Sequence, residues 1–253
     1  MNEPVEPLPR DLNGLERDLL LWVLPADRPG YQTVHSLVAD WKVTARGRRG
    51  SGNYILSPLD ERVDVESPLP QLLAYGVLET DQGDISVTVR EPLGNQVEFE
   101  IVKLGRGHLM PTFRESRRWT LSRWDPGEAC PICANAVREV VMSTASGRRM
   151  VLAICPKDKR LWVYDERTRV NHPVPITNFY NELMLHRHVR DPEIALYPDR
   201  LFSDLGQYSD EALVKAFRSY NMIRTKILLE DEIIVSAPKR RALLDRVRAF
   251  FGQ

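Results

Sequence analysis

Apolar residues recur at helical spacing near the start of the chain. Leu15, Leu19, Trp22 and Val23 share one helix face, with Asn13 and Glu16 three apart as in a capping box and Pro25 as the stop. Residues 31–43 repeat the pattern through Val34, Leu37, Val38 and Trp41, predicting a second helix that carries His35 as a structural or surface histidine. From residue 72 the period changes to two. An apolar run covers 72–80, Ile85, Val87 and Val89 alternate with Ser86, Thr88 and Arg90, and Val97, Phe99 and Ile101 alternate with Gln96, Glu98 and Glu100. Turn residues at 81–84 and 92–95 separate the runs, which predicts an antiparallel meander with Glu98 and Glu100 on a face toward water. Residues 57–70 and 105–122 read as connections. Helical spacing returns over 178–190, then from Asp210 behind Ser209 as cap, and finally in a basic amphipathic segment that opens at residue 236.

The three cysteines of the chain lie in its middle, as Cys130-Pro-Ile-Cys133 and Cys155-Pro-Lys-Asp158, with 21 residues between the two turns. Residues 137–142 and 150–154 are strand-like runs around turn chemistry at 143–147, and 161–164 form a third strand. The order is therefore turn, strand, hairpin, strand, turn, strand. Each short turn aims two ligands at one point and the hairpin brings the two turns together, as a tetrahedral ion requires. Cys130, Cys133 and Cys155 in this order resemble a zinc ribbon over about residues 126–166, which implies zinc and a small β module but no activity.

Asp158 stands where such a module usually has its fourth cysteine. An aspartate oxygen can bind zinc, so the candidate ligand set is Cys130, Cys133, Cys155 and Asp158. His172, just past the third strand, is the competing fourth ligand, and His108 is a more distant one. The alternative to a metal is three buried thiols. A redox Cys-x-x-Cys does not fit, because Cys130 follows a turn at 125–127 and leads into strand residues instead of opening a helix.

These patterns make an α+β fold: N-terminal helices and an antiparallel β meander over 1–119, a central zinc-ribbon-like β module over 120–170, and a C-terminal helical region over 171–253. Charge changes little in this picture. Lys plus Arg and Asp plus Glu both number 35, so no global field draws the chain to nucleic acid or to an anionic membrane. Locally, Arg114, Arg117, Arg118 and Arg123 lie with Trp119 and Trp124 before the first cysteine turn, and Lys157, Lys159 and Arg160 lie at the second. With Trp162 they converge at one end of the module, a surface for a protein partner or for phosphate. The basic loop at 46–52 matches no phosphate-binding spacing.

No apolar run approaches the length of a membrane helix, the acidic, proline-rich start is unlike a signal peptide, and reduced thiols suit the cytoplasm. No nucleophile elbow, His-Glu-x-x-His or cofactor fingerprint is present. The expectation is a non-catalytic zinc-binding protein that serves as a protein-interaction or assembly module. Nucleic-acid binding through the basic end of the ribbon is the alternative, and an enzyme built around His108, His172 or Asp165 is the second.

Overall fold

The capping box forms as its spacing predicts. In the computed structural model, Asn13 Oδ1 accepts from the Glu16 amide and the Glu16 carboxylate accepts from the Asn13 amide, both at 2.9 Å, and α1 runs Gly14–Val23. Glu16 is itself buried and held by two 2.8 Å bonds from Arg10, so the inward stripe is Glu16, Leu19, Leu20 and Val23, while Leu15 faces water. The structure describes residues 7–47, 52–58, 71–93, 96–105, 112–144, 147–174, 202, 206, 208–224 and 233–235.

Helix α2 covers Pro29–Leu37 and is shorter than its apolar spacing predicts, because the chain leaves it for strand β2, Lys42–Arg46. Trp41 and Val43 are buried all the same, so helical spacing there reflected a shared core and not a shared helix. His35 is structural: its Nδ1 bonds the Leu24 carbonyl at the end of α1, 2.6 Å away.

The α+β expectation is replaced by a mostly antiparallel β architecture. Among the described residues, one sheet of seven strands and one of five make up most of the regular structure, and only three short helices accompany them. The seven-stranded sheet contains β1 Arg10–Asp11, β2, β3 Asn53–Ser57, β4 Gln71–Thr80, β5 Ile85–Leu93, β6 Gln96–Lys103 and β7 Glu115–Thr120, in the order β1-β2-β3-β6-β5-β4-β7. The meander β4-β5-β6 was legible. Strands β2, β3 and β7 were not: all are five or six residues long, β2 and β7 are polar or basic at alternate positions, and β3 has only three apolar residues, at 54–56.

One face of this sheet carries Val43, Leu56, Ala74, Leu78, Val87, Val89 and Phe99 against α1 and α2. The other face is polar, as alternation predicts, but it is not wet. Glu98 is 6% exposed and accepts from Asn53 Nδ2 at 2.9 Å, and Glu100 pairs with Arg90 at 2.8 Å. The unexpected β3 sets Asn53 opposite Glu100 and Ile55 opposite Glu98, and so shields these carboxylates from water.

The five-stranded sheet contains β8 Arg138–Thr144, β9 Arg149–Cys155, β10 Arg160–Asp165, β11 Val170–Val174 and β12 Ile233–Val235, in the order β11-β10-β9-β8-β12. Strand β11 includes Pro173 and lies at the sheet edge, where a residue without an amide proton is tolerated. Val140, Met142, Leu152, Ile154, Leu161 and Val163 face helix α3, Asp210–Arg224, which buries Leu213, Val214 and Phe217. Ser209 caps that helix through the Ala212 amide, as its sequence predicts. The opposite face carries Val151, Ala153, Cys155, Trp162 and Tyr164. The helices expected over 178–190 and after residue 236 lie outside the described residues, as do His108 and residues 48–51 of the basic loop.

The two sheets are tied through α2. The Gly30 amide donates to the Thr168 carbonyl at 2.8 Å, and the backbone passes so close that a side chain at Gly30 would collide with Val170. Arg28, 6% exposed, makes a bidentate pair with Asp125 at 2.7 Å and also reaches the Arg123 carbonyl. That clamp fixes the segment from which the first cysteine turn emerges.

Candidate metal centre

Two turns of the same shape face each other at one end of the five-stranded sheet. The first begins at Cys130, whose carbonyl accepts from the Ala134 amide at 2.9 Å and whose amide donates to the Asn135 carbonyl at 2.8 Å. Ala134, the residue after Cys133, is left-handed, with φ 55°. The second begins at Cys155, the last residue of β9, and Lys159, the residue after Asp158, is left-handed too, with φ 52°. Non-glycine residues seldom adopt this conformation. Its recurrence one position past Cys133 and one position past Asp158 makes those two residues backbone equivalents.

The four side chains meet. The Cys130, Cys133 and Cys155 sulfurs and an Asp158 oxygen all lie within 4.8 Å of one another and could hold a metal ion. Cys133 Sγ is 3.6 Å from Cys155 Sγ, and Asp158 Oδ2 is 3.1 Å from Cys130 Sγ and 3.6 Å from Cys155 Sγ. Cys130 and Cys155 are buried among Trp124, Trp162 and Leu121, while Cys133 and Asp158 are half-buried. Trp124 meets Trp162 edge-on at 5.1 Å and donates its indole proton to the Glu128 carbonyl at 3.2 Å. This apolar floor fixes the depth of both turns.

Burial pushes the Cys130 and Cys155 thiols up, against backbone amides of their own turns that favour the thiolate. Burial also opposes ionisation of Asp158, but the thiols that donate to it outweigh burial and hold its carboxyl below the usual range. Burial thus favours protons on Cys130 and Cys155 beside an ionised Asp158 carboxylate, and a cation bound there must displace them.

Strand parity separates His172 from the sulfurs. His172 stands opposite Val163 in the β10–β11 register, and Val163 belongs to the face packed on α3. Cys155 belongs to the other face. His172 thus points away from the sulfurs, and burial pushes its imidazole down to about 4. Asp165 is also engaged elsewhere. Burial opposes its ionisation, but Arg148 together with the Thr168 hydroxyl at 2.6 Å prevails and holds it below the usual carboxylate range.

The basic and aromatic residues before the first turn do not form an open face. Trp119, Trp124 and Trp162 are all buried. Arg118 is bidentate to Glu115 at 2.7 Å and reaches Asp18 at 3.0 Å, and Arg123 pairs with Asp27 at 3.1 Å. Arg117 has a role that the sequence does not signal. From β7 it crosses between sheets to donate to the carbonyls of Pro131 at 2.9 Å and Ile132 at 3.3 Å, bracing the first turn. Nothing in the spacing of residues 117 and 131 announces this contact, because it depends on where β7 lies.

Among the described residues no helix is long and apolar enough to cross a membrane. No protein-family model, no curated protein and no solved structure matches the chain.

Proposed function

We propose that the Cys130, Cys133, Cys155 and Asp158 cluster binds one zinc ion in a zinc-ribbon-like module, and that the protein acts through this rigid module as a non-catalytic interaction or assembly component. The observation that carries the reading is the equivalence of the two turns, each offering two ligands with a left-handed residue after the second. Zinc–sulfur bonds of about 2.3 Å place tetrahedral ligands about 3.8 Å apart. The sulfur–sulfur separation of 3.6 Å is close to that edge. Four ligands from the chain leave no position for a reacting water, and three thiolates make the ion a poor Lewis acid, so the site is structural. Reduced thiol ligands suit the cytoplasm.

The tips of the two turns supply the interaction surface. Ala134, Pro156, Lys157 and Lys159 are exposed there, held in place by the centre beneath them. A protein partner suits this small, rigid surface better than nucleic acid does, because Arg117, Arg118 and Arg123 already face carboxylates of their own chain.

Elemental analysis of the untagged protein tests the metal. About one zinc per chain is expected, and cobalt substitution should give thiolate charge-transfer and tetrahedral d–d bands. Absence of any stoichiometric transition metal would refute the centre. The interaction reading is tested by light scattering and affinity capture with Lys157→Glu as control. A partner lost in that variant supports it, and a monomer that retains nothing, or the same proteins as the variant, overturns it.

A further inference from the structure

Beside the second turn, the two sheets part to leave a cleft of about 400 Å³, lined by Tyr75, Thr88 and Arg90 from the larger sheet and by Asp158, Lys159 and Arg160 from the smaller. Leu121, Leu161, Pro173 and Val174 give it an apolar wall. Three cations thus face one carboxylate in a space the size of a small molecule. Arg90 is engaged by Glu100 at 2.8 Å. Arg160 differs from every arginine around it. Half-buried, it lies over the rings of Tyr75 and Trp119, 4.7 and 5.7 Å from their centroids, and donates to the Tyr75 hydroxyl at 3.1 Å. Among the described residues no carboxylate lies within ion-pair distance of it, Asp158 included. A guanidinium held in place by two rings, partly withdrawn from water and out of direct ion-pair contact with the described carboxylates, is a preorganised receptor for an anion.

We infer that this cleft between the sheets binds a small organic anion, a phosphate monoester or carboxylate, whose charged group pairs with Arg160 and whose apolar body rests on Leu121, Leu161 and Pro173. The site is distinct from the zinc centre. Arg160 belongs to β10 and its stacking partners to β4 and β7, so the pocket is made by the packing of two sheets and not by the metal. Asp158 lines the cleft and is also a ligand-cluster residue, which places the bound anion beside the centre without entering it.

Phenyl phosphate is the probe, titrated calorimetrically into the full chain, with inorganic phosphate and benzoate as parallel arms and zinc content measured on the same samples. Phenyl phosphate should bind more tightly than inorganic phosphate, which lacks the apolar body. Arg160→Gln should weaken it about tenfold or more, as loss of a charge-assisted pair requires, with Arg123→Gln unchanged. Amide shifts in the wild-type spectrum should centre on Tyr75, Leu161 and Val174, a readout that stands even where Arg160→Gln disturbs folding. Failure of all three probes to bind, shifts mapping elsewhere, or binding indifferent to Arg160 would overturn the inference. Zinc content separates that failure from failure of the metal reading.

Discussion

The two ligand turns share a backbone and differ in chemistry. Both place a left-handed residue after the second ligand, yet the first supplies two sulfurs and the second one sulfur and one oxygen. The second therefore pairs an ionised carboxylate with a burial-raised thiol, whereas the first offers sulfur alone. The supports differ as well. Arg117 braces the first turn from the other sheet, whereas the second is continuous with β9 and β10 and needs no outside brace. The oxygen donor thus stands in the turn whose backbone is held by a ladder on both sides.

The comparison can be broken most severely at the sulfurs. Cys130→Ser or Cys155→Ser should abolish stoichiometric metal binding and unfold the five-stranded sheet, read by elemental analysis and by loss of amide dispersion. Acid should come next. The burial-raised thiols hold their protons at neutral pH while Asp158 has already lost its own, so metal binding weakens as pH falls. A competition titration should show up to about three protons released per ion, and hence up to about a thousandfold in affinity per pH unit. Fewer than two protons would mean that a cysteine is not a ligand.

Asp158 tests the asymmetry itself. Asp158→Ala should lower metal affinity by about 10- to 100-fold, whereas Asp158→Cys should retain the metal and add one proton to the release. Equal affinity in Asp158→Ala would remove Asp158 from the ligand set. Arg117→Ala should cost about 1–2 kcal/mol and speed metal loss to a chelator, because two carbonyls of the first turn lose their donor. The smallest effects belong to the left-handed positions. Ala134→Gly and Lys159→Gly should each stabilise the loaded protein by about 0.5 kcal/mol, relief of the left-handed strain slightly exceeding the added freedom of the unfolded chain. If only one turn responded in thermal melts, their equivalence would be lost.

Much of this cluster is legible in the sequence. The spacing of Cys130, Cys133, Cys155 and Asp158 named the four residues that meet, and the alternation around them gave β8, β9 and β10 in order. The capping box at Asn13 and the start of α3 at Asp210 were equally readable, since both depend on neighbours within one helical turn. The balance of helix and sheet was misread. Strands such as β7 and β11 are stabilised by their pairing partners more than by their own residues, and Glu115-Ser-Arg-Arg-Trp-Thr120 carries no local sign of a sheet.

The sequence by itself determined which four side chains cluster and the local turns, because cysteine spacing, caps and strand period act through residues close in the chain. Only the tertiary structure decided that Asp158 and not His172 lies beside the three sulfurs, that Glu98 lies buried, and that Arg160 stacks on Tyr75 and Trp119 out of ion-pair reach of the described carboxylates. Each of these depends on which face of a sheet a residue occupies and on which strand arrives beside it, and those are settled by packing between segments far apart in sequence.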